Sequence, residues 1–301
     1  RIEKKSEEGV DILEKCLIEI DGTRFLTFEQ KQRIKKAIKG EFTIMLIGKT
    51  GTGKSSTINN LIGKSVANTG DTTAVTEKTQ IYETTINDIR FKVIDTPGLC
   101  DSSDIYSDEK YIDEIKRQSK DVDLTLFVTN LNETRVSRDE KVALRKLTSS
   151  LGENIWQNLI VVFTFACSPL PSEISYSKFL EGRTEALKDF IEEISSKNIA
   201  QALPFVGIDN LSKKTPEGKV WLPELFTLIA ERAKDQGLIS FFQALGDDVN
   251  DEREQQNESS DSDKQNARIP LNEGQKERVK KSMRNTIFGN ALAGGLIGLG
   301  G

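Results

Sequence analysis

Gly48-Lys49-Thr50-Gly51-Thr52-Gly53-Lys54-Ser55 is a stretch whose residue types suit one task, holding phosphate. Its spacing is G-x-x-x-x-G-K-[ST], and it lies between an apolar run (residues 42–47) and the start of a helix (55–63). Glycines let successive backbone N–H groups converge on phosphate oxygens where a Cβ would intrude. The N-terminal end of the following helix, at Ser55 and Ser56, adds partial positive charge. Lys54 is placed to reach the β- and γ-phosphates of a nucleotide, and the Ser55 hydroxyl to ligate Mg²⁺. About forty residues on, Asp95-Thr96-Pro97-Gly98 closes a second apolar run. An Asp at that point is the expected holder of Mg²⁺ from behind. The Gly98 N–H is then placed to sense a γ-phosphate, which makes residues 99–108 a switch segment. Between the two motifs, residues 66–80 hold five threonines and few apolar side chains. A switch threonine that coordinates Mg²⁺ is expected there, with Thr76 the best placed and Thr73 the reserve.

These groups need a scaffold that brings strand ends together. Residues 42–47, 122–129, 158–165 and 203–208 read as buried strands, and 79–86 and 89–94 as a pair joined by a tight turn at Asn87-Asp88. Helices are expected over 106–119, from the Ser137/Glu140 capping box to about Leu151, over 175–195 and over about 222–243. Strands alternating with helices predict an α/β fold whose mostly parallel sheet is covered by helices on both faces, the phosphate motif makes it a P-loop NTPase, and the resemblance given below implies a G domain. The expected organisation is an N-terminal helical extension (1–40), the G domain (41–245), an acidic disordered linker (246–275), and a basic collar leading into a Gly-rich apolar tail (276–301).

Composition removes several alternatives. The chain has 301 residues and no histidine, so neither Ser-His-Asp nor Cys-His catalysis, nor any His-ligated metal, is open to it. Cys16, Cys100 and Cys167 are too far apart for a zinc site or a disulfide framework, and read as reduced thiols. A net charge of −5 argues against a general nucleic-acid binder.

The residues above resemble the septin-like branch of GTPases, and more narrowly the family that joins the TOC import GTPases of the chloroplast outer envelope with the immunity-associated GTPases of vertebrates. Residues 48–61 and 95–101 carry the general signature. Residues 130–140 (NLNETRVSRDE), 161–172 (VVFTFACSPLPS) and 221–226 (WLPELF) look specifically TOC-like. The resemblance spans roughly 25–240 and implies GTP and GDP as ligands with Mg²⁺ as cofactor. A P-loop ATPase, or a nucleotide-binding membrane scaffold with negligible hydrolysis, stays as the alternative.

Two departures from common GTPases matter. No N-K-x-D follows the strand 158–165; Thr164-Phe165-Ala166 stands where the family typically has Thr-His-Ala. Phe165 offers guanine a flat apolar face, and Asp209-Asn210 occupies the place of the family's Glu-Asn, with the Asp209 carboxylate expected to accept from guanine N1 and N2. Leu99, not glutamine, follows Gly98, so the isolated chain should hydrolyse slowly. The resemblance further implies dimerisation across the nucleotide face, with a second copy or a related GTPase, and places Arg135 at the position of an arginine that reaches the partner's phosphates. The family's other arginine, five residues earlier, is Asn130 here.

Residues 246–264 hold eight acidic and two basic side chains, and read as a solvated tether. Lys276, Arg278, Lys280, Lys281 and Arg284 then precede the uncharged run 287–301, about 22 Å long as a helix against a hydrocarbon core of about 30 Å. Small residues four apart suit packing in lipid, and the basic collar suits a cytosol-facing G domain anchored to a membrane by its C-terminus. The sequence opens on Arg1 and closes inside that run, so both ends are expected to continue.

Overall fold

Residues Phe42 to Ile47 are fully buried, as a strand covered on both faces requires. The computed structural model describes residues 40–67, 80–96, 121–170, 174–245 and 271–286, with Phe28, Asp113, Lys116 and Arg117. In chain order the described elements are β1 (Glu41–Ile47), α1 (Lys54–Ile62), β2 (Gln80–Ile86), β3 (Ile89–Asp95), β4 (Leu124–Asn130), α2 (Arg138–Leu151), a 3₁₀ segment (Glu153–Asn158) and β5 (Leu159–Thr164). Then come α3 (Tyr176–Ile194), α4 (Lys197–Ala202), β6 (Phe205–Gly207), α5 (Leu222–Arg232), α6 (Asp235–Leu245) and α7 (Glu273–Arg284). The sheet order is β2-β3-β1-β4-β5-β6, and β1–β4, β4–β5 and β5–β6 pair in parallel. This is the expected mostly parallel α/β fold. Chain order reverses beside β1, and in such sheets ligands bind beyond the carboxyl ends of the strands at that point.

The chain divides into two units. The first comprises Thr43–Glu83 and Lys92–Leu225. Its core gathers Met45, Ile47, Phe127, Val161 and Phe163 from the sheet with Leu144, Leu147, Leu187, Phe190 and Ile191 from α2 and α3. The α2 N-terminus is the expected capping box: the Ser137 hydroxyl accepts from Glu140 N–H and the Glu140 side chain accepts from Ser137 N–H.

The second unit comprises Arg1–Phe42, Thr84–Phe91 and Phe226–Gly301. Phe42, Phe91, Phe226, Phe241 and Phe242 form a chain of ring contacts with centroids 5.0–5.9 Å apart, within the range of favourable aromatic pairs. Asn87 and Asp88 have φ of 47° and 63°, the two left-handed residues of a tight hairpin turn. The Asn87 side-chain amide donates to Ala244 C=O.

Two expectations need correction. The single closing helix over 222–243 is two helices, broken at Ala233-Lys234. Apolar periodicity continues across the break, so the sequence pattern alone conceals it. The linker expected to run to residue 275 ends earlier, because Asn272 and Gln275 form a reciprocal capping box that starts α7. Gln275, Val279 and Met283, four apart on one face, are buried, and Arg278 makes two hydrogen bonds to Glu231 at 2.7 and 2.8 Å. The basic collar is therefore a docked amphipathic helix. Most of the expected N-terminal extension, most of the helix over 106–119, and the run 287–301 lie outside the described residues. Among the described residues no helix is long and apolar enough to cross a membrane.

Candidate functional site

The carboxyl end of β1 runs directly into the phosphate loop, and the backbone there has no room for a side chain. A Cβ on Gly48 would lie 2.0 Å from Val128 C=O, so glycine is obligatory. A Cβ on Gly53, where φ is 86°, would lie 2.8 Å from the Asn210 amide nitrogen. Lys54 is 8% exposed, and its ammonium hooks back to Gly48 C=O at 3.0 Å and Lys49 C=O at 3.1 Å. That holds the charge over the loop. Thr52 Oγ1 donates to Lys49 C=O at 2.8 Å, fixing the turn from within. Lys49, Thr50 and Gly51 are exposed, and Ser56 is half-buried.

Asp95 stands beside this loop because Thr96 fastens the end of β3 to β1, donating from both N–H and Oγ1 to Leu46 C=O. Ser55 Oγ donates to Asp95 Oδ2 at 2.9 Å. Asp95 Oδ1 is buried with no hydrogen-bond partner. Burial pushes the Asp95 carboxyl up, against the opposing pull of the Lys54 charge and the Ser55 hydroxyl. An orphaned carboxylate oxygen, disfavoured by burial and next to a serine hydroxyl, fits a divalent cation. Thr73, Thr76, Gly98 and the segment 99–108 lie outside the described residues.

The opposite end of the site is organised by β5 and β6. Thr164 Oγ1 donates to Thr52 C=O at 2.7 Å and to Thr129 C=O at 3.1 Å, tying this end to the phosphate loop. Phe165 follows with φ of 59°, a left-handed conformation rare for an aromatic residue and costly by about 1–3 kcal/mol. Its ring is half-buried. Asp209, 6% exposed, is occupied: Oδ1 accepts from Leu211 and Ser212 N–H at 3.0 and 2.9 Å, and Oδ2 accepts from Cys167 N–H at 2.9 Å. A carboxylate has about four acceptor positions, so one remains. That is room for one guanine N–H, where the sequence reading allowed two. Asn210 faces the phosphate loop, donating to Gly53 C=O at 3.2 Å and Thr57 Oγ1 at 3.1 Å.

Arg135 is exposed and makes no hydrogen bond or ion pair among the described residues. It lies on residues 131–137, which leave the carboxyl end of β4. Nearby, Lys49 Nζ and Asp139 Oδ2 are 3.1 Å apart across the cleft between the phosphate loop and α2.

Two helpers escaped the sequence reading. Asn60 donates to both oxygens of Asn210, bracing it from α1. Asn59 accepts from Val66 and Ala67 N–H and donates to Ala67 C=O, anchoring the start of the threonine-rich segment. Their position on the inner turns of the helix after the glycine loop is the only signal the sequence carries.

Residues 42–260 match the AIG1 family. The chain is 31% identical over 214 residues to Translocase of chloroplast 34 of Pisum sativum, covering 66% of this chain and 68% of that protein. It is 25% identical, with a TM-score of 0.57, to a structure described by the statement that dimerization is important for the GTPase activity of chloroplast translocon components atToc33 and psToc159. The likeness covers 75% of this chain and 89% of that one. The fold is also similar to Toc33 from Arabidopsis thaliana in complex with Mg²⁺ and GMPPNP, at 22% identity and a TM-score of 0.53, covering 75% of this chain and 98% of that one.

Proposed function

Because the chain belongs to the AIG1 family, we propose that it is a guanine-nucleotide switch: it binds GTP and GDP with Mg²⁺, hydrolyses GTP slowly alone, and is regulated by dimerisation across its nucleotide face. The observation that carries the reading is the conjunction of the glycine loop, the buried Lys54 and the Ser55–Asp95 pair with its orphaned oxygen. Ser55 and Asp95, joined by Thr76, are the residues that would hold Mg²⁺, whose charge offsets that of the β- and γ-phosphates when bound. Gly48 to Ser56 cradle the phosphates with backbone N–H groups, and Lys54 neutralises charge that grows at the leaving oxygen. Gly98 reports the γ-phosphate to the segment behind it. At the other end Phe165 covers one face of the base, Asp209 accepts one guanine N–H, and Thr164 and Asn210 hold both loops in register with the phosphate loop.

The glutamine that a Ras-type switch uses to orient the attacking water is replaced by Leu99 after Gly98, and no histidine can stand in for it. The missing charge comes from a second copy, whose Arg135 reaches the phosphates. An arginine supplied in trans is worth about 10³–10⁵ in rate in well-tuned switches. The similarity to chloroplast translocon components whose GTPase activity depends on dimerization supports this assignment. The C-terminal run 287–301 tethers the G domain to a membrane on its cytosolic side, and no nucleic acid is involved.

Turnover measured against protein concentration tests the switch. Specific activity should rise with concentration in the wild type and stay flat at the dilute value in Arg135→Ala. A flat wild-type profile identical to Arg135→Ala overturns the dimerisation reading, whereas GTP-dependent oligomers without turnover would favour the scaffold. Flotation of the full chain with vesicles of anionic phospholipid, lost when 287–301 is removed, tests the tether.

A further inference from the structure

Glu140 does more than close a capping box. An N3 glutamate ordinarily sits at the surface and reaches back to the N-cap N–H. Here the residue is 7% exposed, and its two oxygens serve different parts of the first unit. Oε2 accepts from Ser137 N–H at 2.7 Å. Oε1 accepts from Thr129 Oγ1 at 2.6 Å and from Arg183 Nη2 at 2.5 Å. One carboxylate thus joins the end of β4, the start of α2 and the middle of α3.

Arg183 is 3% exposed, an unusual place for a guanidinium. Its Cζ lies 5.7 Å from the Phe163 ring centroid, while Nε and Nη1 are buried without partners. A buried ion pair with orphaned nitrogens is a poor source of stability, since apolar side chains of the same volume serve as well or better. What it supplies is a fixed geometry. The segment it fixes is the one that carries Arg135. Residues 132–136 span two anchors: Leu131, fully buried with its N–H donated to Thr164 C=O at 3.0 Å, and Ser137, whose N–H is held by Glu140. Between them Glu133, Thr134 and Arg135 are exposed, and Asn132 N–H donates to the Asn130 side chain.

We infer that Glu140 and Arg183 are a positioning pair that holds the Arg135 segment in the form needed to reach a second copy's nucleotide. The inference rests on the dimerisation reading for its consequence, and on the geometry alone for its cause. A long exposed arginine on a mobile five-residue span would pay its ordering entropy at the moment of dimerisation; a pre-held span does not.

The test uses the full chain and a double variant, Glu140→Leu with Arg183→Met, which removes both charges so that neither is left buried alone. Single Glu140→Ala risks misfolding because it strands Arg183. Glu140→Gln with Arg183→Met, whose one amide oxygen can still accept from Ser137 N–H and which leaves no charge buried alone, separates the pair from the capping box. Amide hydrogen exchange in dilute, GDP-bound protein reads the position of the segment: residues 132–137 should exchange at least tenfold faster in both double variants, whereas a wild-type rate in the second would mean that the capping box alone holds them and would overturn the inference. GDP affinity should stay within about twofold. The rise of turnover with concentration should fall about tenfold, and Arg135→Ala should cost nothing further in that background. Unchanged exchange overturns the inference. So does full retention of the concentration-dependent rise, or an Arg135→Ala cost as large as in the wild type. Faster exchange beside a wild-type turnover that is flat in concentration upholds the pair as the holder of the segment, and overturns the dimerisation reading instead.

Discussion

The phosphate end and the base end of the site are built on different principles. At the phosphate end the backbone is shaped by residues that keep side chains away: Gly48 against Val128 C=O, Gly53 against Asn210. Local sequence dictates that geometry, so the motif can be read directly. At the base end the polar side chains mostly serve the protein itself. Asp209 gives three of about four acceptor positions to loop N–H groups, and Thr164 and Asn210 turn toward the phosphate loop. The proposed phosphate site is therefore encoded in a local motif, whereas the proposed base recognition rests on one residual acceptor and one strained aromatic.

Substitutions at the two ends should separate accordingly. Lys54→Met should lower turnover by about 10²–10³-fold, the cost of losing one preorganised charge at the transferring phosphoryl group, with little change in thermal stability. Activity retained within tenfold would mean that the phosphate end has been misassigned. Asn210→Ala removes the clamp between the ends. It should weaken GDP binding about tenfold and destabilise the fold by about 1–3 kcal/mol, read by denaturant titration, because Gly53 C=O and Thr57 Oγ1 lose a donor.

Asp209→Asn makes the sharper cut. If the side chain serves only its own loops, stability falls by about 1–2 kcal/mol and the ratio of GDP to ADP affinity does not move. The account expects both to move, with the ratio dropping about tenfold. Phe165→Asn should have the smallest effect. Asparagine accepts the left-handed backbone that Phe165 occupies at φ 59°, so the melting temperature should hold. GDP binding should weaken about three- to tenfold through loss of the stacked face, as read by displacement of a fluorescent nucleotide.

Legibility followed the range of the interactions. The glycine loop, Asp95 at a strand end and the Ser137/Glu140 box are local patterns, and each stands where the sequence placed it. The long-range uses of the same side chains are not local. Glu140 meets Arg183 across 43 residues and Cys167 meets Asp209 across 42, so no spacing rule announces either. The α7 start was legible in principle, since Asn272 and Gln275 stand in capping-box register. The acidic, apolar-poor stretch before it hid the signal. The α5–α6 break is hidden for the opposite reason, because apolar residues recur on both sides of Ala233-Lys234.

Competition between GDP and ADP for the wild-type chain, in Mg²⁺ and read by displacement of a fluorescent guanine nucleotide, distinguishes a guanine site from an adenine site. One charged acceptor at Asp209 is worth about 1.5–3 kcal/mol, so GDP should bind tighter by about 10- to 100-fold. Equal affinities would contradict guanine selectivity, and a preference for ADP would leave an adenine-nucleotide phosphohydrolase in place of the guanine-nucleotide switch.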